Sequence, residues 1–224
     1  INDLVEQLKE GIVQKAQDVI ITYNSKLNGK GEVGNTPNTN ESYLKYSNNP
    51  YNNAQITQTT TQTTYTYTID LDVSKIAELK STTDEMEYLE GAEFEIYSKP
   101  NTVEDREPIA TITVEGITDA EGNIISSKGL YSSFGSGTYY LKETKSPEGY
   151  NKLREEIEIE IIATCDELGA ITWTVEDKIN NDLVLAQIGV KEIGEGENKT
   201  SIPIVKLQVE NTSGFQLPVT GGKG

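Results

Sequence analysis

The longest alternating run in the chain places Tyr65, Tyr67, Ile69, Leu71 and Val73 on one face, with Thr66, Thr68, Asp70 and Asp72 on the other. Successive side chains of a strand point to opposite faces, so this period of two predicts a half-buried β-strand. The pattern recurs in Ala92, Phe94 and Ile96, around 109–114, and in 137–144, where Tyr139, Leu141 and Glu143 share a face. It returns around 155–163, 171–175, 184–190 and 203–211, the last with Val205, Leu207 and Val209 in series. Short strands at this spacing, separated by Gly and Asn turns, predict an all-β, immunoglobulin-like sandwich.

Upstream the pattern changes. Leu4, Val5, Leu8, Ile12 and Val13 fall at helical spacing behind Asp3, which predicts a short amphipathic helix within 1–20. Val19, Ile21 and Tyr23 alternate; a Gly/Asn-rich loop follows from Asn28 to Asn40, and then Leu44, Tyr46 and Asn48 share a face before Pro50. A unit of this size is too loop-rich for its own core. Residues 1–50 are therefore expected to be the C-terminal part of a preceding β-rich domain, 51–64 a Thr/Gln connector, 65–215 the sandwich and 216–224 a tail.

Composition narrows the chemistry. The 36 acidic and 19 basic residues give a net charge of −17, the opposite of the basic footprint that nucleic acid or an anionic membrane requires. The chain has no histidine, which excludes Ser-His-Asp and Cys-His catalysis and HExxH zinc sites. One cysteine, Cys165, allows no intrachain disulfide or Cys-rich metal cluster, and is expected to be a small buried filler. No cofactor or metal is expected, and no segment has the length and apolarity of a signal peptide or membrane span. The chain reads as a trimmed piece of a mature extracellular protein.

Three apolar faces end on or include a polar side chain: Lys75 after Val73, Glu143 after Leu141, and Asn211 after Val209. Burying an unpaired charge costs several kcal/mol in effective terms, so a rim position or a plain buried ion pair is one explanation. The other is chemical. A lysine stripped of water becomes a neutral amine and hence a nucleophile, and a carboxyl in the same apolar setting can stay protonated. That acid could hydrogen-bond the Asn211 carbonyl and pass a proton to departing ammonia, leaving an Nζ–Cγ amide.

Leu71-Asp72-Val73-Ser74-Lys75, Gly91-Ala92-Glu93-Phe94-Glu95-Ile96-Tyr97, Tyr139-Tyr140-Leu141-Lys142-Glu143 with Pro147-Glu148-Gly149-Tyr150, and Val209-Glu210-Asn211 together resemble a CnaB-type domain. Such domains build sortase-assembled pilins of Gram-positive bacteria, and 65–221 is similar to the C-terminal domain of a backbone pilin. The resemblance implies that Glu143, in the family's E box, promotes an isopeptide bond between Lys75 and Asn211. Lys80 and Asp177 are alternatives, the first in a polar loop, the second continuing the face of Ile171, Trp173 and Val175. Asn48 resembles the acceptor of a preceding pilin domain whose lysine would lie upstream.

Leu217-Pro218-Val219-Thr220-Gly221 matches the LPxTG sortase signal. The resemblance implies attack by a sortase cysteine at Thr220 and transfer to a neighbouring pilin subunit or a cell-wall peptide, outside the cell. The family's Tyr-Pro-Lys motif is absent. A wall-anchored adhesin or tip pilin with host surface ligands is the alternative function, and a wall-anchored hydrolase using paired carboxylates a more distant one.

Overall fold

The computed structural model describes residues 31–49, 54–78, 86–179 and 182–214, together with residues 10, 20, 22 and 51. The chain divides into two compact units, Ile1–Lys30 and Gly31–Gly224. The helix expected within 1–20, the alternation around Val19–Tyr23, Lys80 and the 217–221 motif lie outside the described residues.

Four short strands come first: β1 (Asn38–Ser42), β2 (Lys45–Ser47), β3 (Ile56–Gln58) and β4 (Gln62–Thr66). β1 pairs β4 and β2 pairs β3, both antiparallel, making a two-stranded ribbon whose residues are nearly all exposed. Parts of the Thr/Gln stretch expected as a plain connector are thus strands, as suits β-branched threonine.

The sandwich follows with β5 (Ile69–Ala77), β6 (Glu93–Tyr97), β7 (Ala110–Thr113), β8 (Glu115–Thr118), β9 (Ile124–Phe134), β10 (Gly137–Lys145), β11 (Ile157–Cys165), β12 (Ile171–Asp177), β13 (Val184–Ile193) and β14 (Thr200–Asn211). One sheet has the order β12-β11-β10-β6-β7, the other β13-β14-β5-β9-β8. Consecutive strands β7 and β8 cross between the sheets at one side and β12 and β13 at the other. Every neighbouring pair is antiparallel except β14 and β5, which run parallel over eight residue pairs, from Ile204↔Asp70 to Asn211↔Ala77.

Between the sheets lie Ile69, Leu71, Val73, Phe94, Ile96, Leu141, Ile157, Ile159, Ile161, Trp173, Val205, Leu207 and Val209, all buried. Each fully buried aliphatic or Phe side chain contributes about 1.5–3 kcal/mol relative to exposure. The outer face of β5 is less wet than its alternation predicts. Thr68 and Asp70 are also buried. Residues 32–34 cross that end of the sheet: Gly34 N–H donates to Thr68 O at 2.7 Å, and Thr68 Oγ1 donates to Glu32 O at 3.0 Å. Lys191 pairs with Asp70 at 2.9 Å.

β9 has no signature in the sequence pattern. Its inward positions include Ser127 and Gly129, while Ile125 and Leu130 face out. Small residues are required inside because a Cβ at Gly129 would lie 3.2 Å from both Thr113 O and Val114 Cγ2. Cys165 corrects another expectation. It is exposed, because β11 ends there beside the Asp166–Gly169 turn, where it has left the core.

Candidate functional site

β5 carries Lys75 inward directly after Val73, and β14 carries Asn211 inward after Val209. These strands are neighbours in one sheet, in a register that pairs Lys75 with Val209 and Asn211 with Ala77. Glu143 arrives from the opposite sheet, on β10, where it faces Phe94 of β6 in the ladder. The three side chains meet at one end of the core with relative exposures of 0% (Lys75), 2% (Glu143) and 0% (Asn211). Lys75 Nζ donates to Asn211 Oδ1 and lies 3.1 Å from Glu143 Oε1. Asn211 Nδ2 donates to Glu143 Oε1 at 3.0 Å and to Oε2 at 3.3 Å. The Phe94 ring stands 5.4 Å from Nζ.

Burial lowers the Lys75 pKa from the usual 10.5 to about 8, against the opposing influence of the Glu143 charge and hydrogen bond. Desolvation prevails because no water reaches a group with zero exposure, and the neutral amine gains at the expense of ammonium.

The second oxygen of Glu143 has a partner that sequence reasoning missed. Leu153 N–H donates to Oε2 at 2.7 Å. A turn brings that amide back to β10: Tyr150 N–H donates to Pro147 O at 3.2 Å, with Gly149 at φ +85°, a conformation glycine adopts without steric cost. Beyond the turn, Asn151 N–H donates to Thr212 O at 2.9 Å, so the strap over Glu143 is tied to the residue after Asn211. The Pro-Glu-Gly-Tyr turn was a visible signal, but the donor is a backbone group that any residue at 153 except proline would supply.

Lys75, Glu143 and Asn211 are therefore brought together, and the carboxyl faces the amide nitrogen of Asn211, where the sequence reading set it against the carbonyl oxygen. Asp177 ends β12, two strands away from β10, and accepts the Ile179 amide at 3.0 Å. Asn48 is exposed in a bend after β2. Among the described residues no group of three or more Cys, Asp or Glu side chains could hold a metal ion. No helix among them is long and apolar enough to cross a membrane.

A family model described as the SpaA prealbumin-like fold domain matches residues 74–179. No curated protein matches the chain in sequence. Among solved structures, the group B streptococcus pilus 2b backbone protein is similar at 21% identity and a TM-score of 0.36, covering 73% of this chain and 49% of that one. The T6 backbone pilin of serotype M6 Streptococcus pyogenes is similar at 18% identity and a TM-score of 0.39, with coverage of 84% and 46%. A C-terminal fragment of the pilus adhesin SpaC from Lactobacillus rhamnosus GG gives 19% identity and a TM-score of 0.40, with coverage of 80% and 60%. The chain spans about half the length of the two backbone proteins it matches. The family match and the two-sheet architecture agree on an all-β, prealbumin-like sandwich.

Proposed function

We propose that this chain is a structural subunit of a Gram-positive cell-surface pilus whose sandwich, residues 65–215, closes itself with an amide between Lys75 Nζ and Asn211 Cγ. The observation that carries this reading is the buried contact of an amine, a carboxyl and a carboxamide from three separate strands. The reaction needs no cofactor, because the folded chain holds its reactants at an effective molarity that solution cannot reach.

The steps balance within the three side chains. Glu143 Oε1 takes a proton from the Lys75 ammonium, leaving a neutral amine. Nζ attacks Asn211 Cγ, forming the new C–N bond. Oε1 lies within hydrogen-bond reach of both the nucleophile, at 3.1 Å, and the leaving nitrogen, at 3.0 Å, so it delivers that proton to Nδ2 and takes a second one from the attacking nitrogen, ending as the neutral acid. The Cγ–Nδ2 bond breaks and ammonia departs, with a depression of about 870 Å³ bordered by Glu143, Lys152 and Leu153 as its route. Leu153 N–H holds Oε2 so that Oε1 faces the reaction.

In the same reading, residues 1–50 end a preceding domain, Asn48 is the acceptor of that domain's own cross-link, and 51–64 connects it to the sandwich. A sortase attacks the Thr220 carbonyl of Leu217-Pro218-Val219-Thr220-Gly221 and transfers the chain to a lysine of a neighbouring subunit or to a cell-wall peptide. A tip pilin or adhesin is a second reading, favoured by Tyr43, Tyr46, Tyr51 and Tyr65, which are exposed on or beside the ribbon and could meet a host ligand.

Intact mass of the purified chain tests the proposal. The expected mass is one ammonia below that of the sequence, with the Lys75 and Asn211 peptides joined after digestion. A full, unmodified mass would remove the mechanism.

A further inference from the structure

The pairing of β5 with β9 runs from Ile69↔Phe134 to Val73↔Gly129 and goes no further along β5. Beyond it the neighbour on that side of β5 becomes the segment 87–89: Leu89 N–H donates to Lys75 O at 2.9 Å, Ile76 bridges Tyr88, and Ala77 N–H donates to Glu87 O at 2.9 Å. Lys75 sits on the seam between these two neighbours. There a side chain does what a ladder does elsewhere. Lys75 N–H donates to Ser127 Oγ at 2.8 Å, and the same hydroxyl donates to Lys75 O at 2.9 Å. Ser127 is 3% exposed, so its hydroxyl is a committed part of the interior.

The seam matters because a lysine has four side-chain torsions between Cα and Nζ. Phe94 and the core walls confine those torsions, but Nζ reaches Asn211 Cγ only if the Lys75 backbone is itself fixed. Ser127 grips both backbone polar groups of this one residue, across the strand from β14, which carries the acceptor. Its hydroxyl contacts the backbone of Lys75 and not the reacting nitrogen.

We propose that Ser127 is a positioning residue for amide formation: its hydroxyl replaces the missing ladder at Lys75 and fixes the origin of the nucleophilic side chain. The inference rests on the amide reading above. Removing the hydroxyl leaves the fold in place, because Lys75 O keeps the Leu89 amide and β14 still pairs with β5 on its other side, so that Lys75 N–H alone loses its partner. The Leu89 contact holds the carbonyl side of Lys75 and leaves its N–H side unheld.

The test follows the full chain after cell-free synthesis, reading intact mass against time across a pH series. Ser127→Ala should lose ammonia about ten- to a hundredfold more slowly than wild type, the scale of a modest misplacement of reacting atoms. The slowing should be equal at every pH, because the burial of Nζ is unchanged. Ser127→Thr, which keeps the hydroxyl, should react at close to the wild-type rate. A purely structural role predicts something else: in a Glu143→Ala background, Ser127→Ala would lower the melting temperature while leaving the reaction rate of the Glu143 chain unaltered. Wild-type speed in Ser127→Ala, or slowing accompanied by a displaced pH midpoint, overturns the proposal. If wild type itself keeps its full mass, the amide reading has failed; if wild type reacts and Ser127→Ala matches it, only the positioning role has.

Discussion

Lys75 Nζ stands 3.1 Å from Glu143 Oε1, although the two residues come from opposite sheets and neither side chain is exposed. Such a pair is costly to assemble, since the effective desolvation penalty in a real protein is several kcal/mol per ion. The arrangement makes sense if the charges are transient and the product is neutral: amide formation removes the ammonium, and ammonia carries away the asparagine nitrogen.

Glu143→Ala should leave the chain at full mass and melting at lower temperature. By analogy with disulfide loops, joining positions 136 apart in the sequence contributes about 5 kcal/mol, so the loss is of that order. Intact mass and a thermal melt check both halves. A Glu143→Ala chain that still sheds ammonia would show that the carboxyl is not the proton carrier.

Amide formation should hold steady below about pH 8 and slow above it, where buried Lys75 has lost to solvent the proton that Glu143 would deliver to the leaving nitrogen. Mass spectra taken at intervals after synthesis, from pH 6.5 to 9.5, measure the midpoint. A rate that climbs through pH 8 contradicts delivery of the Lys75 proton through Glu143.

The same depression has a consequence for stability that is visible once the acceptor is removed. In Asn211→Ala, Lys75 keeps a folded pKa of about 8 against an ordinary 10.5, so between these values the unfolded chain binds more protons than the folded one. Stability therefore rises with pH over that window, by about 3 kcal/mol in all, and the full penalty applies below pH 8. Urea unfolding at pH 7.5 and pH 10 should separate accordingly, and adding Lys75→Met should flatten the difference.

Within the Asn211→Ala background, Lys75→Met and Glu143→Leu should each destabilise by about 3–5 kcal/mol, because each strands a buried charge. The double variant should recover most of that loss. Equal and additive losses would mean that the two side chains do not act as a pair.

Asp70 makes a comparable prediction on the outer face. Its carboxylate is 2% exposed, with Lys191 at 2.9 Å and its other oxygen, Oδ1, buried without a partner. Lys191→Ala should cost about 3 kcal/mol in urea unfolding, again by leaving a buried charge unpaired. Lys145→Ala, which breaks a bridge with side chains 62% and 39% exposed, should fall within experimental scatter.

Much of this was legible in the residues. Ile69, Leu71 and Val73 announce β5 because bulky aliphatics fill every second position, and Lys75 then stands out as the wrong chemistry on the right face. The same logic exposed Glu143 and Asn211. It failed where packing demanded small side chains: Ser127 and Gly129 leave no apolar period, so β9 was invisible although it is among the longest strands. It failed again for Cys165, whose residue type favours burial while its place at a strand end does not. The Leu153 amide and the layer that residues 32–34 lay over Thr68 are backbone contacts, which no side-chain pattern encodes.

The parallel pairing of β5 and β14 determines how the sandwich would carry a mechanical pull along a fibre. Force entering at Ile69 and leaving past Asn211 draws these neighbours in opposite directions along their length, so all eight residue pairs resist together in shear and cannot be unzipped one by one. With Lys75 and Asn211 joined, the path shortens to residues 69–75 and a single amide. Everything from 76 to 210 would then hang off the loaded line, and its unfolding would leave the span between residues 69 and 211 unchanged.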